Sequence, residues 1–129
     1  MNIKEQRPLI YRLADKLNVH SGHDDYGDPF ITGHHGNIHV LSLVKETFNM
    51  YCYRETPLRW RNLRANAVNA GLVLIQDGDS EGCLSFAIDF VNSDHIVTFV
   101  RECIGVRKIP TYTDDYKQIL RERLKRNTD

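Results

Sequence analysis

The stretch that most constrains how this chain can fold is Leu72 to Phe90, LVLIQDGDSEGCLSFAIDF. Two apolar runs, Leu72–Ile75 and Cys83–Phe90, flank a turn of Asp, Gly, Ser and Glu. Glycines at 78 and 82 and short acidic side chains suit a tight reversal, so the segment predicts a β-hairpin. The segments on either side read as helices made to cover one face of it. Before the hairpin, Thr56-Pro57 is a helix-start signal, and Trp60, Leu63, Ala67 and Ala70 form a stripe that ends at Gly71. After it, Ser93 and Asp94 cap a helix whose Ile96, Phe99, Val100, Cys103 and Ile104 recur at i, i+3, i+4, i+7 and i+8, and Gly105 stops it. That stripe predicts a buried face with the Phe99 ring enclosed by the sheet.

Upstream, Leu9, Ile10, Leu13 and Leu17 predict a helix over Ile3–Leu17, with Pro8 either ending its first turn or starting the helix proper. Residues 18–29, NVHSGHDDYGDP, have the composition of a loop. Phe30–Thr32 predicts a short strand turning at Gly33–Gly36. Asn37–Val44 and Thr47–Arg54 follow as strands joined by Lys45-Glu46. In the second, Phe48, Met50 and Cys52 alternate with Asn49, Tyr51 and Tyr53, as in a sheet with one covered face. Residues 110–129 hold a C-terminal helix with a basic tail: Thr113, Asp114 and Asp115 start it, and Tyr116, Ile119, Leu120 and Leu124 share a face. The order is helix, loop, two strand–strand–helix units, helix. It predicts a single α+β domain over 1–129, a two-layer sandwich with an antiparallel sheet from two β-hairpins and helices on one face.

A chain of 129 residues is long enough to bury a core without staples. Seventeen basic residues balance seventeen acidic ones, so no global field draws the protein to nucleic acid or to a membrane surface. The three cysteines, Cys52, Cys83 and Cys103, are an odd number set among apolar residues, a pattern of reduced thiols rather than of a disulfide framework. No apolar run approaches a membrane span, and the N-terminal residues have no apolar signal-type core. A cytoplasmic protein is the expectation.

GHHGNIHV at 33–40, ETPLRW at 55–60, LIQDGDSEGCLSF at 74–86 and VRECIGVRK at 100–108 resemble a family of small uncharacterised bacterial proteins common in alphaproteobacteria. In that family a glycine-flanked strand precedes a tryptophan helix, a TQDGD-EG hairpin and a terminal LGIRK. The likeness covers roughly residues 30 to 108 and departs at Ile75 and Val106. It implies the fold above and a bacterial origin, and it transfers no activity.

Three constellations could carry chemistry. Five of the six histidines, His20, His23, His34, His35 and His39, lie near Asp24, Asp25 and Asp28. Imidazoles and carboxylates ligate transition metals, and on a strand His35 and His39 share a face, so His35, His39 and His23 are the metal candidates. The spacing matches no established zinc motif, and no tightly bound metal or other cofactor is expected. The acidic turn Asp77, Asp79, Glu81, Gly82 opens like a calcium loop, but Ile88 stands where the bidentate glutamate belongs. Arg54, Arg59, Arg61 and Arg64 surround Trp60 just after Tyr51 and Tyr53, and Arg107 and Lys108 add a second basic group. Arginines with aromatics can grip phosphates and stack on bases, or snorkel from the rim of a core-facing helix. No serine sits in a nucleophile elbow, and there is neither a Walker loop nor a dinucleotide fingerprint. The expectation is a non-enzymatic module that binds a protein partner through these tyrosines and arginines, with nucleic acid as the first alternative and a metal site as the second.

Overall fold

The computed structural model describes residues 3–110 and 114–128, and of these the side chains of all but 114, 116 and 125–128. Helix α1, Ile3–Leu17, lays Leu9, Ile10, Leu13, Ala14 and Leu17 into the core. Pro8 lies inside this helix rather than at its boundary. So near the start, its missing N–H gives up one backbone bond, which the buried stripe immediately after it offsets.

The segment read as a loop over 18–29 contains a strand. β1, Gly22–His23, pairs antiparallel with β2, Pro29–Gly33. Asp24 organises the reversal between them: its carboxylate accepts from the backbone N–H of Tyr26 (2.9 Å) and Asp28 (3.0 Å). Two residues are too few for a period-two pattern, so the strand is invisible against its polar flanks.

β3, Gly36–Ser42, and β4, Thr47–Tyr53, form the central hairpin. Then come helix α2, Pro57–Ala70, the strands β5, Val73–Asp77, and β6, Glu81–Ala87, helix α3, Asp94–Ile104, and helix α4, Asp114–Thr128. The predicted caps are in place. Thr56 and Ser93 accept from the N–H of Arg59 and Ile96, and Gly71 and Gly105 close their helices in the left-handed conformation. The apolar run Cys83–Phe90 does not stay extended to its end: Ile88–Phe90 is a 3-10 turn.

Among the described residues all strands pair antiparallel in one six-stranded sheet, in the order β1-β2-β3-β4-β6-β5. The second hairpin enters the sheet by its second strand, so β6 lies against β4 and β5 becomes an edge. Ile31, Ile38, Phe48, Met50, Cys52, Leu84 and Phe86 are buried on one face, where α1, α2 and α3 pack. The fold is the expected α+β class with helices against an antiparallel sheet.

Two predicted faces differ in degree. On α3, Val100, Cys103 and Ile104 are fully enclosed, whereas Ile96 and Phe99 are half-buried at the rim, so Phe99 is not the enclosed ring expected of it. On α4, Ile119 and Leu124 are exposed. Thr113 and the side chain of Tyr116 lie outside the described residues.

Candidate functional site

The predicted arginine–tyrosine patch divides between the two sides of the sheet. Tyr51 and Tyr53 alternate with the buried Met50 and Cys52, so they stand on the face away from the helices. The Tyr51 hydroxyl donates to the Glu81 carboxylate across the strand pair, and this bond, with some desolvation, raises its pKa to about 12. The Tyr53 hydroxyl donates to the His34 carbonyl at 2.7 Å. The arginines lie elsewhere and are mostly engaged. Arg54 donates to the carbonyls of Cys103 (3.0 Å) and Glu102 (3.2 Å), closing the C-terminal end of α3. Arg59 pairs with Glu55 at 3.4 Å, and Arg64 pairs with Asp77. Arg61 is exposed on α2, and Arg107 and Lys108 are exposed beyond α3.

The histidines separate as well. The turn Gly33-His34-His35-Gly36 docks on the end of α3. His35 N–H donates to the Ile104 carbonyl at 2.8 Å, and His34 N–H to that of Gly105 at 3.2 Å. These are carbonyls that the helix cannot satisfy internally. Gly33 makes the approach possible, because a Cβ there would lie 2.1 Å from the Ile104 oxygen. The His35 ring stands edge-on to Tyr53, with centroids 5.8 Å apart, while His39 stacks on Phe30 at 5.6 Å. His23 is on β1 at the sheet's margin. Among the described residues, no group of three or more His, Cys, Asp or Glu is arranged to hold a metal ion. In the acidic turn, Asp77 turns to Trp60 and Arg64, and Glu81 turns to Tyr51 on the opposite face. Of the cysteines, Cys103 is hydrogen-bonded to Cys52 and buried, and both effects push its thiol pKa up, away from a nucleophilic thiolate.

A different surface stands out at the β5 edge. Trp60 is fully buried with its ring on Gly82, where a Cβ would lie 2.3 Å from the indole Cζ2. Its Nε1 donates to Asp77 Oδ1 at 2.9 Å, and Arg64 donates to the other carboxylate oxygen. The bond from Trp60 first, and Arg64 second, hold the Asp77 carboxyl below its ordinary value. A bulge between Leu74 and Gln76 makes this contact possible, since the register shift sets Asp77 opposite Gly82 on the helix side.

Inward, the hairpin is therefore locked to α2. Outward, it presents apolar side chains. Val73 is 61% and Ile75 49% exposed, and on α2 Leu58 (59%) and Val68 (47%) are exposed as well. Of the apolar run Leu72–Ile75, Leu72 is buried, whereas Val73, Leu74 and Ile75 are exposed. The available signal was on α2, where Leu58, Ala65 and Val68 make a second stripe beside the core-facing one.

No protein-family model matches the chain, and neither a curated protein nor a solved structure is significantly similar to it. No helix among the described residues is long and apolar enough to cross a membrane.

Proposed function

We propose that the protein is a non-enzymatic interaction module that binds protein through the edge formed by β5 and α2. One observation carries this reading: β5 is a sheet edge that no other strand among the described residues pairs on its outer side, it exposes Val73 and Ile75, and the adjoining helix α2 exposes Leu58 and Val68. An open strand edge offers backbone groups that a partner strand can complete, and exposed apolar side chains beside such groups favour association. The nucleic-acid alternative is weaker, because Arg54, Arg59 and Arg64 already have partners within the fold and the tyrosines lie on another face. The metal alternative is weaker because His23, His35 and His39 each have different surroundings. A bacterial cytoplasmic setting belongs to the same proposal. The free thiols of Cys52, Cys83 and Cys103 are in keeping with it.

Capture from host lysate tests the reading. Immobilised wild type is compared with Ile75→Lys, and the bound set, the chain's own copies included, is identified by mass spectrometry. At least one protein retained by the wild type and lost with the variant is expected. The same bound set on both would refute an interaction through this edge.

A further inference from the structure

We propose that the occupant of this edge is a second copy of the chain, paired antiparallel along β5 about a two-fold axis at Ile75. This rests on the reading of the β5–α2 edge as a protein-binding surface and names its partner.

The argument is one of matched symmetry. α2 runs back alongside β5: Leu72 N–H donates to the Ala67 carbonyl at 3.0 Å at one end, and Trp60 reaches Asp77 at the other. From the turn between them, Ile75 lies three residues along the strand and Leu63 seven residues back along the helix. At about 3.3 Å per strand residue and about 1.5 Å per helix residue, both distances come to about 10 Å. Leu58, Arg61, Ala65 and Val68 fall at i, i+3, i+7 and i+10, one helical stripe centred on position 63. Arg64, which reaches Asp77 at the sheet edge, borders this stripe. Arg59 and Asn62 instead line a cleft with His35 and Arg54 toward the sheet's interior. The stripe therefore looks out over the β5 edge, and its midpoint is level with Ile75.

A single two-fold axis can pass through both midpoints. Leu58 then meets Val68 of the second copy at each end of the helix pair. Arg61 faces the small Ala65, which leaves its guanidinium room to run out to water. Charge selects the same orientation. Antiparallel pairing sends the two acidic turns, Asp77 to Glu81, to opposite ends of the seam, whereas parallel pairing would set Asp77 against Asp77. Residues 73–76 carry no charge and no proline to oppose pairing. The other edge, β1, is only two residues long, so a head-to-tail chain through β5 and β1 has almost no ladder to form, and the association closes at two.

Sedimentation velocity across the micromolar range tests the proposal. The wild type should reach twice the 15.0 kDa chain mass as concentration rises. Ile75→Lys sets two ammonium groups at the axis, and Val68→Glu sets a carboxylate against Leu58. Both positions are half exposed in the single chain, so circular dichroism should remain that of the wild type while each variant sediments as a monomer. A wild type that stays at 15.0 kDa throughout would overturn the proposal, as would a dimer that both variants leave intact. A monomer that still captures a different protein through Ile75 would overturn self-pairing and leave the binding edge standing. A dimer broken by both variants, with no other protein captured, would support self-pairing alone.

Discussion

The two edges of the sheet are built differently. β1 is two residues of glycine and histidine, closed by the Asp24 turn and followed by Pro29, which has no N–H to offer. Short length is one of the usual means of keeping a strand edge from recruiting another strand. β5 is longer and apolar along most of its length and, among the described residues, has no strand on its outer side. Its one irregularity, the bulge at Ile75, serves the inner side by bringing Asp77 under Trp60.

The largest expected effect concerns what holds the open edge in place. Trp60 is fully enclosed between α2 and the hairpin, so Trp60→Ala should cost about 3–5 kcal/mol in chemical denaturation. A loss under about 1 kcal/mol, within the range of surface substitutions, would mean that β5 is anchored by something other than the indole.

The Asp77 carboxylate gives a smaller, pH-dependent effect. Its folded pKa is lowered from 3.8, so its contribution is present above that value and is lost as pH falls through the lower folded one. Asp77→Asn should reduce stability at neutral pH and flatten the decline of stability in acid. Wild type and variant with parallel stability curves from neutral to acid pH would show that the Trp60–Asp77–Arg64 contact does not secure the edge.

The hairpin, both capping signals and the two-layer architecture were legible in the sequence, because each has a local cause: Thr56 and Ser93 as caps, Gly71 and Gly105 as stops, and alternation in β4. The order of strands was not. Nothing local says that β6 and not β5 joins β4, and that choice decides whether Val73–Asp77 lies inside the sheet or at its edge. The arginine–tyrosine cluster was legible as composition but not as a site, since the tyrosines of β4 stand on the face away from the helices while the arginines are spread around α2 and the end of α3. GHHG read as a ligand pattern for the same reason. Its glycines serve a close backbone contact with the end of α3, a partner some seventy residues away in the chain.

The smallest effect lies on the open face, beside the same hairpin. The Tyr51 phenol should titrate near pH 12 by ultraviolet absorbance, and Glu81→Gln should bring it back toward 10.0. Because the folded value is the higher one, the associated stability is present below 10.0 and is lost as pH rises toward about 12. An ordinary Tyr51 midpoint in the wild type would remove the cross-strand bond that ties β4 to the start of β6.

Amide hydrogen exchange followed against protein concentration addresses the contrast between the edges most directly. Peptides covering Val73–Asp77 should exchange more slowly as concentration rises, those covering Gly22–His23 should not change, and Ile75→Lys should abolish the difference. Exchange at β5 that is independent of concentration and the same in wild type and Ile75→Lys would contradict the account.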